Sequence, residues 1–285
     1  MLEIVVYAMS RGALYALVAV GFVLVFSVGG VLNLAHGTLF MLGGYFTCLF
    51  HERVLGGRWL GLAITLAVLT VCLLSALLHK TLLQRRPQST SYAMVMTLSV
   101  ALFIEQALRL AFGSSATAVP SLLPGSDTWL GVRLLRLELL LLPLALGLLA
   151  GLGAFLRYSR HGRALVAVAQ NRQGAALVGI DAAAVLTGAL VLSAGLAALA
   201  GALVAPLITV VPTLWAYWLV KAFAVAIMGG LGSLTGAVLA AFLLSLAEVL
   251  TTFVLSDQYA DLVALLVIVS VLVLRPSGLI ARRSA

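Results

Sequence analysis

Residues 12–31 read GALYALVAVGFVLVFSVGGV, twenty positions without a charged side chain. At a rise of about 1.5 Å per residue, such a run makes a helix of roughly 30 Å, the thickness of a bilayer's hydrocarbon core. It has no polar face to turn to water. Charge-poor runs of similar length recur at Trp59–Leu78, Thr90–Phe112, Leu137–Leu156, Ala182–Ala205 and Ala237–Leu255. Three others, Thr38–Phe50, Ala222–Leu231 and Leu262–Leu274, are too short to cross unless they borrow flanking residues. At least two of these read as broken or re-entrant elements.

Of the 285 residues, 63% are hydrophobic and 9% charged, against ~45–50% and ~25% in an ordinary soluble domain. A soluble globule is excluded. The expected fold is an all-α, polytopic transmembrane helix bundle of about eight to ten spans, forming one transmembrane domain over residues 1–285. No phosphate-binding loop, dinucleotide-binding glycine pattern or paired-cysteine signature appears, so no nucleotide, redox or metal centre is expected. Cys48 and Cys72 lie in apolar runs and read as small core residues. No basic leader or cleavage pattern precedes the first apolar run, so that helix is expected to be retained. The net charge of +8 sits on no basic face interleaved with aromatics, which argues against nucleic acid and for a role in topology.

Ten of the seventeen basic residues fall in three places. One connection holds Lys80, Arg85 and Arg86; another holds Arg157, Arg160, Arg163 and Arg172; the tail holds Arg275, Arg282 and Arg283. Only one acid, Asp181, accompanies them. By the positive-inside rule these regions face the cytoplasm, including the C-terminus. Glu52, the 113–136 connection and the acidic turn Asp257–Asp261 then lie outside, which nine crossings with an external N-terminus satisfy.

Several strings carry polar chemistry. Asn33-Leu34-Ala35-His36-Gly37 is the most polar string in the first hydrophobic third. Its Asn33 and His36 suit either a transport cavity or helix capping. Gly29-Gly30-Val31-Leu32-Asn33-Leu34 is echoed by Gly229-Gly230-Leu231-Gly232-Ser233-Leu234, each at the junction of two apolar segments and each followed by another glycine, Gly37 or Gly236. Such clusters suit a helix break or a close helix approach. Glu105 and Arg109, four apart, share a helix face and can neutralise one another. Glu248 has no cation nearby on its own helix, so it pairs with another helix or lies near the outer mouth. Lys221, after Trp215, Tyr217 and Trp218, reads as an interfacial anchor.

The segment 157–181 is different in kind. It has four arginines, an Ala-rich centre and glycine at each end, the pattern of a short amphipathic helix along the cytoplasmic face. Such a helix suits docking to a soluble partner or to the lipid surface.

Taken together, the Asn33–Gly37 string, the Arg157–Arg160, Gly162-Arg163-Ala164, Ala169-Gln170-Asn171 and Gly179-Ile180-Asp181 strings, and Lys221-Ala222-Phe223 followed by Gly229–Ser233 and Gly236 resemble the permease subunits of ABC importers for branched-chain amino acids. The resemblance runs from about Gly12 to Gly278. Leu34, Thr38 and Val166 stand where that family commonly has Phe, Glu and Arg. The resemblance implies a translocation path or helix break at Asn33, His36, Gly37, Gly229, Gly230, Gly232 and Ser233. It also implies coupling to an ATPase through Arg160, Gly162, Arg163, Gln170, Asn171, Gly179, Ile180 and Asp181. Implied partners are cytoplasmic ABC ATPase subunits, a second permease of the same or another kind, an extracytoplasmic substrate-binding protein and membrane lipid. No cofactor is implied, since the partners use the ATP. The implied setting is a bacterial inner membrane, and the chain is expected not to be an enzyme. The same superfamily also carries urea, short amides and small carboxylates. An ion-coupled transporter would rest instead on Glu105, Arg109 and Glu248.

Overall fold

A computed structural model describes residues 2–83, 90–113, 125–129 and 132–280. Arg85, Arg86, Arg282, Arg283 and much of the 113–136 connection, on which part of the topology reasoning rests, lie outside them.

The described chain is built of α1 (Leu2–Gly29), α2 (His36–Leu49), α3 (Leu60–Leu78), α4 (Thr90–Phe112), α5 (Arg136–Tyr158), α6 (Arg160–Gln170), α7 (Arg172–Leu177), α8 (Ala182–Val204), α9 (Leu214–Gly229), α10 (Leu234–Val254) and α11 (Ala260–Leu274). Helices α2 and α3 each run on into a π turn, at Phe50–Val54 and His79–Leu83. Among the described residues, seven helices are long and apolar enough to cross a membrane; α9 is shorter, and α2, at 14 residues, shorter still. The all-α bundle expected from hydropathy is therefore present. One antiparallel hairpin, β1 (Ser126–Trp129) with β2 (Val132–Leu135), was not foreseen. It is tied to the start of α5 by a bidentate pair, both Arg136 nitrogens standing 2.9 Å from the Asp127 carboxylate. The guanidinium holds that exposed carboxyl below the usual carboxylate range.

Several boundaries move. Helix α1 begins at Leu2 rather than Gly12, because Glu3 and Arg11 are carried within its first three turns instead of ending it. The short run at Ala222 is the second half of α9, which starts at Leu214 and takes in the aromatic cluster and Lys221. The run at Leu262 gains a 3-10 turn over Asp257–Tyr259, giving an apolar stretch of 18 residues. It is long enough to span.

The chain divides into two compact units, Met1–Val23 with Leu123–Gly151 and Lys221–Ala285, and Leu24–Leu122 with Leu152–Val220. In the second unit, α2 packs against α3 and α8. All but two of the 14 residues of α2 are buried, so it shows almost nothing to lipid. Between helices in a membrane there is little hydrophobic drive, and close packing of small residues takes its place. Helix α8 supplies it with a face of Ala194, Ala197, Ala198 and Gly201. A Cβ on Gly43 would collide with the Ala198 carbonyl, and one on Gly201 with the Phe40 carbonyl. The two helices thus touch backbone to backbone at two reciprocal points. Gly37 meets the Trp215 carbonyl on α9 in the same way. Helix α3 also packs on α8, where Cys72 Sγ and Ser75 Oγ donate to the Val191 and Leu190 carbonyls at 3.5 and 3.4 Å. Both cysteines are free thiols.

These contacts predict that Gly43→Ala and Gly201→Ala each lower stability by about 1–3 kcal/mol or more through overpacking. Gly61→Ala, whose Cβ would meet nothing within 4 Å, should be neutral or slightly stabilising. Thermal unfolding of the purified protein in detergent reads the difference; equal midpoints for all three would remove the backbone contact from the account.

Candidate functional site

The α1–α2 break is made by glycine and a polar turn. Helix α1 ends at Gly29, and Gly30 takes φ +67°, a left-handed conformation costly for any residue with a Cβ. Asn33 Oδ1 then accepts the Ala35 N–H at 3.1 Å, and the Leu34 N–H donates to Thr97 Oγ1 on α4 at 3.2 Å. Asn33 therefore shapes the turn two residues ahead of α2, whose N-cap position is Ala35 with no side-chain cap. His36 is not a cap: it is fully buried, with Nδ1 3.2 Å from Ser193 Oγ on α8.

Two small adjoining cavities, of about 40 and 60 Å3, lie beside this break and share Asn33, His79, Thr97 and Leu190 in their walls. His79, at the start of the π turn after α3, is 2% exposed. Its Nδ1 is 3.0 Å from Thr187 Oγ1, and that hydroxyl lies 2.9 Å from the Ala183 carbonyl. Thr187 spends its proton on the carbonyl, so His79 Nδ1 is the donor and Nε2 is left as an acceptor. Among the described residues Nε2 has no partner. The only sequence signal for His79 was a histidine closing an apolar run.

Glu105 and Arg109 on α4 are paired at 2.7 Å, and the second Glu105 oxygen accepts Trp215 Nε1 at 2.5 Å. Both carboxylate oxygens are thus occupied. Trp218 stacks on Phe40 with ring centroids 4.1 Å apart, which locks α9 onto α2 within the second unit.

In the first unit, Lys221 is not an interfacial anchor. It is 8% exposed, ion-paired with Glu248 on α10, and 2.8 Å from Asp261 at the start of α11. Tyr15 on α1 donates to the other Glu248 oxygen at 2.6 Å, and the Lys221 ammonium lies 5.8 Å from the Tyr15 ring centre. Glu248, 2% exposed, therefore finds its partners on α9 and α1. The aromatic residues before Lys221 gave the misleading signal; its partners are 27 and 40 residues away.

The α9–α10 break repeats the α1–α2 design. Helix α9 ends at Gly229, Gly230 and Gly232 take φ +99° and +94°, and Ser233 Oγ accepts the Gly236 N–H at 3.0 Å as the N-cap of α10. A Cβ on Gly229 would lie 2.5 Å from the Ala237 nitrogen. The segment after α11 is strapped to this turn, with the Leu279 and Ile280 N–H groups donating to the Met228 and Gly229 carbonyls at 2.9 and 3.2 Å.

The segment 157–181 forms two helices rather than one, since Asn171 ends α6 and caps α7. Three consecutive helices start on a side-chain cap. Ser159 Oγ accepts the Gly162 N–H at 2.8 Å, Asn171 Oδ1 the Gly174 N–H at 2.8 Å, and Asp181 Oδ1 the Ala183 N–H at 2.8 Å. Each cap satisfies a helix end that the chain would otherwise leave to water. Helix α6 buries Gly162, Leu165 and Val168, one face at helical spacing. Gly162 sits directly on the Phe155 carbonyl. Arg160, Arg163, Gln170, Asn171 and Asp181 are exposed, Gly179 turns the chain at φ +82°, and Ile180 is half-buried. At the tip, Leu177 is 89% and Val178 76% exposed.

Removing the buried cation should show how the first cluster is held. Lys221→Met is expected to cost about 3–5 kcal/mol, because Glu248 stays buried without a cation, and Lys221→Met with Glu248→Leu should recover most of it. Chemical unfolding of the four-member double-mutant cycle reads the coupling; additive losses would show that the two side chains do not act as a pair.

Residues 4–272 match the family described as branched-chain amino acid transport system / permease component. The chain is 30% identical to the high-affinity branched-chain amino acid transport system permease protein BraD of Pseudomonas aeruginosa, over 99% of this chain and 96% of that protein. It is 30% identical to the permease protein LivH of the corresponding Escherichia coli strain K12 system, over 95% and 92%. The LivH protein of Salmonella typhimurium is 29% identical over the same shares. No solved structure matches the chain.

Proposed function

The chain belongs to the branched-chain amino acid transport permease family, and we propose that it is the membrane subunit of an ATP-driven importer carrying leucine, isoleucine, valine or a related hydrophobic amino acid inward. Cytoplasmic ATPase subunits hydrolyse the ATP, a second permease completes the path, and an extracytoplasmic binding protein delivers the substrate. The setting is a bacterial inner membrane with the C-terminus and residues 157–181 in the cytoplasm. Asn33, His36, Gly37 and the Gly229–Ser233 turn belong to the path or its helix breaks, and the chain carries no catalysis of its own.

The observation that carries the coupling role is the build of α6 and α7. Two short, side-chain-capped helices expose a cationic surface and end in the bare apolar tip Leu177-Val178. Exposed apolar side chains rimmed by charge are the anatomy of a docking surface. The relatives' names supply the substrate class: each is a permease of a branched-chain amino acid transport system.

The test uses the assembled complex in liposomes. Wild type should take up leucine only with ATP, and the binding protein with leucine should stimulate ATP hydrolysis. Leu177→Glu and Arg163→Glu should each weaken ATPase binding by about 2 kcal/mol, roughly thirty-fold, and abolish stimulated hydrolysis while the permease stays folded. ATPase binding and uptake unchanged in both variants would move the coupling role elsewhere. Uptake that survives without ATP and collapses with the proton gradient would overturn the import mechanism.

A further inference from the structure

Between α6 and the first half of α8 lies a groove of about 670 Å3, lined by Phe155, Leu165, Val185, Gly188, Val191 and Leu192, with Lys80 and His161 among its walls. That volume lies within the ~300–1,000 Å3 usual for a small-molecule site, so depth and the placement of polar groups decide what it holds. Its floor descends along a spanning helix: Leu192 is ten residues, or roughly 15 Å, beyond the start of α8, about half of a ~30 Å hydrocarbon core. A water-soluble ligand gains nothing by entering to that depth.

The ionisable groups are at the ends of the helices, and the hydroxyl deeper in, Thr187, is engaged by His79 and the Ala183 carbonyl. Lys80 follows α3, and His161 is in the first turn of α6. Among the described residues neither has an ion-pair partner. Nearby in sequence, Arg157 lies over the 71% exposed Tyr158 ring at 5.5 Å. A collar of Lys, Arg and Tyr is what proteins place at headgroup level. The one acid in the groove, Asp181, is tied to the Ala183 and Ala184 N–H groups at 2.8 and 3.3 Å. Its charge is directed into the start of α8, where the helix dipole favours it.

We propose that this groove holds one anionic phospholipid of the bilayer. Its phosphate meets the Lys80 ammonium and the His161 imidazole, and an acyl chain lies along α8 over Gly188, Val191 and Leu192. The missing side chain at Gly188 makes the channel; a Cβ there would meet nothing within 4 Å. Bound lipid fills the space between α8 and the helix that carries the exposed arginines. Anionic lipid thereby supports the seat of α6, a role that rests on the import reading, whereas the binding itself does not.

Native mass spectrometry of the purified complex tests the binding, with phosphatidylglycerol and phosphatidylcholine as probes. Wild type should retain phosphatidylglycerol about tenfold better. Lys80→Glu should bring the two to parity, and Gly188→Leu, which fills the channel without touching the charges, should remove both. No preference in wild type, a preference unchanged by Lys80→Glu, or retention unchanged by Gly188→Leu overturns the proposal. Loss of lipid on assembly with the other subunits assigns the groove to a protein partner and overturns it too. Because no transport is read, a negative result leaves the import mechanism standing.

Discussion

The second unit depends on the absence of a side chain at Gly43 and Gly201. Where α2 crosses α8, these glycines let each helix press against the other's carbonyl oxygens. A 14-residue helix too short for an ordinary span is thereby held with nearly all of its side chains buried. The rest of the unit follows from that seat. Phe40 is fixed for stacking on Trp218, His36 is brought to Ser193, and the polar turn before α2 reaches Thr97 on α4. Were α2 displaced outward by one methyl group at either crossing, each of these contacts would lengthen together.

The buried glutamate of each unit is matched by hydrogen-bonding partners. Glu105 is held by Arg109 and Trp215, and Glu248 by Lys221 and Tyr15, so each of these carboxylates has both oxygens engaged. That arrangement suits rigid struts more than proton carriers. The segment 157–181 has the opposite character. Its helices are short, capped and mostly exposed, and they turn their charges and the Leu177-Val178 tip away from the protein.

Much of the fold was legible because hydropathy reports length and burial in lipid directly. The run at Thr90–Phe112 coincides with α4, and the runs of α3, α8 and α10 lie within a few residues of the observed bounds. Hydropathy failed where charge is carried inside a helix, as at Lys221, whose partners on α10 and α11 no local pattern reveals. It failed also at Asn171, a cap that divides one apparent amphipathic helix into two. The glycine pairs were legible as breaks, yet the glycines that matter most for packing, Gly43 and Gly201, look in sequence like any small residue of a membrane helix. His79 was invisible because its significance lies in Thr187, 108 residues away.

The account stands on α2 being a buried helix rather than a lipid-facing one. Labelling of the complex in liposomes by a photoactivated carbene reagent dissolved in the acyl-chain region, read out by peptide mass spectrometry, tests this without mutation. The account predicts heavy labelling on α3 and α4, at exposed positions such as Leu69, Leu73, Phe103 and Leu110, and almost none between His36 and Cys48. Labelling of Leu39, Phe40, Met41 and Leu42 at the level of Leu73 would place α2 against lipid and contradict it.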